Sequence, residues 1–460
     1  MFTSRRFIQP TIYPQSLKTP GRFCRAMYLK ECLRTEKKSN STSPQWSEFR
    51  EILIAMKDGS AEKCFIPLPN FPPVSHMDLD DNIFMLPGPV KMHPRVLRAM
   101  SLPARAHRDP TFFEIHREIR ELLKYTFQTN YDVAVISGSG TAGMDAAISN
   151  LLTKKHTAVV AHNGKFGERL VEIVKRYSNA IAVGAEWGEV IDTEKVAEAV
   201  EENDVDAVVL CHNETSTGVT NPAWEIGKIA KKHGLLYILD GITSVGGIEV
   251  RPEKMGADVV VFGSQKCVAA PAGMAALAVS PRAEEMMVEN PPYYLDLKKH
   301  LEKYNNPEKA DTPYTCAIPL FQALLEALRM IKEEGIEERW RKCAAMGEAT
   351  REAVKAMGLK LFPRDERYAS NTLTAIWLPE GVTDKEFRGT LKEKYHVVVA
   401  GAQEHIKGKV FRIGHMGIVK WTDLAATIVA IEATMRELGL DVERGAGPGV
   451  IAEHMARYGL

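Results

Sequence analysis

A surplus of one charge, paired cysteines and long apolar runs are all missing from this 460-residue chain. Lysine plus arginine equals aspartate plus glutamate, 59 against 59, so no bulk field draws it to nucleic acid or to an anionic membrane. No apolar run reaches the roughly 18 residues that a membrane-spanning helix needs. Seven cysteines are scattered without paired spacing, which argues against a disulfide frame and a zinc centre. Cys211 and Cys267 read as small buried hydrophobes. The composition fits a chain of the reduced cytoplasm, too long for one core and built of two or three compact units.

What is present begins with a strand-like run, Asp132-Val133-Ala134-Val135-Ile136-Ser137, followed by Gly138-Ser139-Gly140-Thr141-Ala142-Gly143 and a helical stretch from Met144 to Leu152. A strand, a glycine turn and a helix start form an anion site, because unpaired backbone N–H groups and the helix dipole both favour negative charge. The glycine spacing also fits a dinucleotide fingerprint, which needs a carboxylate at the end of the next strand. Here that strand, Thr157 to Ala161, runs into His162-Asn163-Gly164-Lys165-Phe166-Gly167. With no ribose carboxylate, the nicotinamide reading loses to a monophosphate ligand.

Two further runs end in chemistry. Leu235 to Asp240 closes on a carboxylate, and Val259 to Lys266 closes on an amine. In an open α/β sheet the carboxyl ends of parallel strands bound the ligand crevice, so these two groups are expected in one pocket. Pyridoxal phosphate is the cofactor that needs such a pair. A lysine forms a Schiff base with it, and a carboxylate keeps its pyridine nitrogen protonated. Either residue alone is more often a solvated rim residue; the phosphate turn beside them decides for the cofactor.

Several motifs then resemble one family. They are Leu86-Pro87-Gly88-Pro89-Val90, Ser137-Gly138-Ser139-Gly140, Asn163-Gly164-Lys165-Phe166-Gly167-Glu168-Arg169 and His212-Asn213-Glu214-Thr215-Ser216-Thr217-Gly218, followed by Asp240-Gly241-Ile242-Thr243-Ser244, Gly263-Ser264-Gln265-Lys266 and Lys409-Val410-Phe411-Arg412-Ile413-Gly414. In this order they resemble the class V aminotransferases over roughly residues 80 to 440. The nearest branch is the alanine–glyoxylate and serine–pyruvate aminotransferases, including archaeal aspartate/serine-type enzymes.

The resemblance implies a fold-type I pyridoxal-phosphate transferase. Its large α/β domain holds a mostly parallel sheet with helices on both faces, and a smaller α/β domain follows. It implies Lys266 as the Schiff-base lysine and Asp240 as the partner of the pyridine nitrogen. Ser139, Gly140 and Thr141 match the phosphate turn, where many relatives carry His in place of Thr141, and Gln265 matches a second phosphate ligand. Phe166 stands where an aromatic stacks on the ring, often Trp in relatives. Thr215 matches the hydroxyl that bonds the ring 3-oxygen. Gly88 and Arg412 match substrate-binding positions, the arginine gripping an α-carboxylate with its planar fork. Tyr314 resembles a residue that reaches the phosphate from the partner subunit of a homodimer; the neighbouring family Thr is replaced by Ala317. The substrates implied are a small amino acid and a 2-oxo acid.

Each position has a plainer reading. Phe166 serves equally as core packing, Thr215 as a turn cap, and Arg412 as the partner of a structural carboxylate. A lyase of the cysteine desulfurase kind is the alternative activity, but those enzymes carry His before the lysine and a nucleophilic Cys late in the chain. This chain has Gln265 and no cysteine after Cys343. A non-catalytic regulator of the same fold requires a DNA-binding unit, and residues 1 to 76 show no helix-turn-helix.

The organisation expected is an N-terminal extension over 1–76, a large domain over 77–340 with an arm at 77–99, a small domain over 341–440 and a tail over 441–460. The first forty residues carry nine Lys or Arg against two acidic residues. They read as a stretch upstream of a start at Met77, or as a transit peptide that would make the protein organellar. A short helix is expected near Pro44 to Met56, and a loop from Glu443 through Gly-Ala-Gly-Pro-Gly that leads into a terminal helix. Thr383-Asp384-Lys385-Glu386 reads as a capping box.

Overall fold

The computed structural model describes residues 82–103 and 105–459. The expectations for residues 1 to 76, the short helix near Pro44 included, lie outside these residues. In chain order the strands are β1 Ile83–Met85, β2 Asp132–Ser137, β3 Thr157–His162, β4 Asn179–Gly184, β5 Ala207–Cys211, β6 Asn213–Glu214, β7 Val219–Thr220, β8 Leu236–Asp240, β9 Val259–Gly263, β10 Met274–Val279, β11 Leu373–Trp377, β12 Val397–Gly401 and β13 Val410–Gly414.

Seven strands form one sheet in the order β2-β10-β9-β8-β5-β3-β4. The neighbours β9-β8, β8-β5, β5-β3 and β3-β4 are parallel, and β10 alone runs against its neighbours β2 and β9. Every residue of β5, β8, β9 and β10 is buried. That is why these segments read as continuous apolar runs instead of alternating ones: helices cover both faces of the sheet. The helices are capped as the sequence suggests. Asp109 accepts from the Thr111 N–H ahead of Pro110–Phe127, and Thr383 with Glu386 forms a reciprocal capping box ahead of Asp384–Tyr395.

The register brings the chemistry to one edge. Cys211 pairs with Asp240, Gly263 with Ala275, and Met274 with Ser137. The carboxyl ends of β2, β5, β8 and β9 therefore open on the same side of the sheet.

The second sheet has the order β1-β12-β13-β11 and packs Phe387, Phe411, Ile413, Trp421 and Ile428 into its own core. Two boundaries differ from the sequence reading. Within the expected arm, β1 lies parallel to β12 in the smaller sheet, not in the larger unit. The loop expected from Glu443 stops at Gly445, and helix Ala446–Tyr458 follows. Pro448 sits in its first turn, where a missing N–H costs nothing. Ile451, 1% exposed, seats that helix on the smaller core. The expected tail is thus part of the smaller unit.

Candidate active site

A cavity of about 160 Å³ lies where these strand ends meet the start of helix Gly140–Leu151. Ser139, Gly140, Thr141, Phe166, Thr215, Asp240, Gln265 and Lys266 all line it. These residues are spread over more than a hundred positions of sequence and come together because the sheet register aligns their strands.

Lys266 does not close β9, as the sequence suggested, but lies three residues beyond its last residue, Gly263. The in-register bond from the Ser264 N–H to Met274 O at 3.0 Å is the last of the ladder, because the Met274 N–H goes to Ser264 Oγ at 3.3 Å instead of to Ser264 O, and the chain then bends so that the Ala269 N–H reaches Lys266 O at 2.9 Å. This turn lifts the lysine over the strand ends. Its Nζ donates to Pro87 O at 2.9 Å. Gly88, with φ +106°, passes so close that a Cβ there would lie 2.5 Å from Nζ, so only glycine fits both the backbone and the space. Burial lowers the amine to a pKa of about 8, with Arg412 and Arg169 pushing the same way.

Asp240 is the last residue of β8, and its Oδ1 accepts the Ile242 N–H at 2.9 Å. Burial raises its pKa to about 7; the Glu214 carboxylate adds to the rise, while the Ile242 N–H, Arg169 and Lys266 oppose it. A carboxyl in that state ionises fully once a cation faces it.

At the helix start, Ser139 makes no side-chain cap bond, and the first helical bond is from the Gly143 N–H to Ser139 O at 3.1 Å. The hydroxyl and the earlier N–H groups are thereby left to an anion. The Gln265 Oε1 is buried and, among the described residues, has no hydrogen-bond partner. Rotating its carboxamide offers the cavity either donor or acceptor. Thr215 Oγ1 donates to Thr243 Oγ1 at 3.1 Å, and Thr243 Oγ1 donates to Asn213 O at 2.8 Å.

Phe166 stands in the first turn of helix Lys165–Tyr177. Its N–H and that of Gly167 donate to Glu214 Oε2 at 3.0 and 2.8 Å. Glu214 is wholly buried, and burial raises its pKa against these bonds. It fixes the helix, and so the ring of Phe166, through the helix N-terminus.

Arg412 lies within β13, not at its end, and is 7% exposed. It does not line the cavity. Its Nε and Nη2 donate to Gly401 O at 3.1 and 2.5 Å, and its Nη1 donates to Thr215 O at 2.8 Å. These carbonyls hold the guanidinium without neutralising it, and burial lowers its pKa to about 10. Tyr314 does not line the cavity either. Its hydroxyl donates to Tyr293 O at 2.6 Å, and its ring stacks on Tyr294 with centroids 5.3 Å apart.

Three lining residues with amide, hydroxyl or guanidinium side chains were not assigned from the sequence. Asn213 and Thr243 sit in the quoted motifs beside Thr215 and Asp240, and Arg169 sits three residues after Phe166. Two further arginines, Arg108 and Arg364, stand outside the cavity: Arg108 binds Asp311 at 2.5 Å, and Arg364 binds Glu186 and Glu189.

The sequence pattern of the family Aminotransferase class-V matches residues 98–376. The chain belongs to the class-V aminotransferases. It is 43% identical over 372 residues to an uncharacterised aminotransferase of Methanocaldococcus jannaschii, covering 80% of this chain and 96% of that one. It is 31% identical over 388 residues to a serine–glyoxylate aminotransferase of Methylorubrum extorquens, covering 81% and 96%. Among solved structures it resembles the ureidoglycine–glyoxylate aminotransferase of Bacillus subtilis, with a TM-score of 0.77 and 29% identity over 82% of this chain and 98% of that one.

As a class-V aminotransferase it is a transaminase of the fold-type I architecture, and its cofactor is pyridoxal phosphate. The site fits that group on its own terms. One cavity offers an amine, a buried carboxyl still short of a cation, an uncapped helix start and an unpartnered carboxamide. Among the described cysteines, Cys211 lines the cavity at the end of β5. Cys316 precedes helix Ile318–Glu334, and Cys343 is buried inside helix Ile336–Ala356, so neither sits on a loop at the cavity. Among the described residues, no helix is long and apolar enough to cross a membrane.

Proposed function

We propose that this aminotransferase moves an amino group between a small amino acid (alanine, serine or aspartate) and glyoxylate or pyruvate. The observation that carries the reading is the shared cavity of Lys266 and Asp240 at the start of helix Gly140–Leu151. Two relatives reported above are named for glyoxylate, which supports that acceptor.

When bound, pyridoxal phosphate supplies an electron sink for the carbon that loses its proton. The residues of this chain do the rest. Lys266 carries the cofactor at rest and, once freed, takes the α-proton and returns it. With its pKa held near 8 it is a competent base at neutral pH, which an amine of ordinary pKa is not. Asp240 keeps the ring nitrogen protonated. Ser139, Gly140, Thr141 and Gln265 would hold the phosphate, with Phe166 and Thr215 lining the space for the ring. Arg412 binds the α-carboxylate beside Gly88, a contact common to every amino acid, so it sets orientation and leaves donor choice to other contacts. Assaying alanine, serine, aspartate and phosphoserine, each with pyruvate, glyoxylate and 2-oxoglutarate, tests this. Turnover of the small donors with glyoxylate or pyruvate is expected; activity confined to phosphoserine with 2-oxoglutarate contradicts it.

Arg412→Gln is expected to raise KM for amino acid and oxo acid alike by roughly a hundredfold, the size of a charge-assisted pair. Absorbance of the bound cofactor should be unchanged. A variant that loses cofactor but keeps its KM would give Arg412 a structural role instead.

We also propose a homodimer in which Tyr314 faces the partner's phosphate. The segment beside it is apolar and outward, Tyr293 being 73% and Tyr294 41% exposed. Sedimentation with and without cofactor should show a dimer that the cofactor tightens. A fully active monomer would end this proposal.

A further inference from the structure

The charged groups lining the cavity are Asp240, Lys266 and Arg169. The reading above commits Asp240 to the ring nitrogen and Lys266 to the covalent bond. The phosphate carries nearly two negative charges at neutral pH, and Ser139, Gly140, Thr141 and Gln265 meet it with neutral donors only. The remaining cation is Arg169. Its Nη1 donates to Thr141 Oγ1 at 3.3 Å, which puts it beside the phosphate turn. Among the described residues it has no carboxylate partner; its guanidinium rests 4.9 Å from the centre of the Phe166 ring. Three residues apart on one helix, the two side chains share a face. The positive charge of Arg169 also acts on both Asp240 and Lys266, as expected of a group opening on the same space.

We propose that Arg169 is the cation that pairs with the cofactor phosphate, completing from within one chain the anion site at Ser139–Thr141. This rests on the reading of that turn as the phosphate site. It predicts a preference for the phosphorylated cofactor that the helix start alone does not provide. A planar fork stacked on Phe166 is already ordered, so it loses little freedom on binding the anion.

The test compares binding of pyridoxal phosphate and of pyridoxal, which lacks the phosphate, to cofactor-free wild type, Arg169→Met and Arg169→Lys. Methionine keeps the stem and the contact with Phe166. The expected result is a rise in the Kd of pyridoxal phosphate on the order of tenfold to a hundredfold for Arg169→Met, the scale of a charge-assisted hydrogen bond. Pyridoxal affinity should change less than about twofold, and Arg169→Lys should fall between. Unchanged affinity for pyridoxal phosphate overturns the proposal. So does equal weakening of both ligands, which would mean that Arg169 only props Phe166. Borohydride reduction at saturating cofactor separates this from the parent reading: Lys266 should label in all three proteins, whereas an unlabelled Lys266 in wild type breaks the site itself.

Discussion

Lys266→Ala is expected to lower transamination by roughly four orders of magnitude or more while leaving the fold intact. The loss combines the general base, which typically contributes about 10² to 10⁴, with the covalent anchor. The fold should survive because the side chain's one hydrogen bond is to Pro87 O, and removing the donor leaves a carbonyl beside an open cavity. An added primary amine should recover part of the rate by standing in for the missing base. Bound cofactor should remain, held by the helix start, but exchangeable by dialysis. Measuring kcat with and without added amine, together with cofactor retention, checks each part. Activity within tenfold of wild type would remove Lys266 from the chemistry.

Asp240→Asn is expected to cost about a thousandfold or more in kcat, because a neutral amide does not hold the ring nitrogen protonated and the electron sink weakens. The cofactor-free protein should respond in the opposite sense. Burial raises the Asp240 pKa to about 7 in the folded state, against an ordinary value of 3.8. A folded pKa above the unfolded one means that stability is fully present below pH 4 and is lost as pH rises towards 7. At pH 8 the ionised, desolvated carboxylate then destabilises the empty protein by on the order of 4 kcal/mol. Cofactor-free Asp240→Asn should therefore melt above wild type at pH 8, with the difference vanishing near pH 4. Equal melting at pH 8, with near wild-type turnover, would contradict the role given to this carboxyl.

Much of this was legible in the sequence for a physical reason. Strands buried on both faces, such as Val259–Gly263 and Leu236–Asp240, are unbroken apolar runs, and the polar residues after them mark the sheet edge where ligands bind. What escaped needed three-dimensional information. The run towards Lys266 gives no sign that the strand stops at Gly263, because what ends it is the Ser264 hydroxyl taking the Met274 N–H across the sheet. Met274–Val279 is rich in alanine and fits a helix as well as a strand, so the antiparallel β10 carried no local signature. The three-residue β1 is too short for any periodicity. Gly445 to Gly449 looks like a loop by composition, yet the first turn of a helix tolerates proline, and Ile451 finds a core to bury in. Arg169 was within reach of sequence reasoning, since its spacing from Phe166 places both on one helix face; its lack of a carboxylate partner was not.

The most direct test of the central claim is borohydride reduction of the cofactor-loaded protein, followed by digestion and peptide mapping. The account predicts a single reduced adduct on the peptide containing Gly263-Ser264-Gln265-Lys266, with the label on Lys266. A label on Lys165 or Lys409, or one spread over several surface lysines, would contradict it.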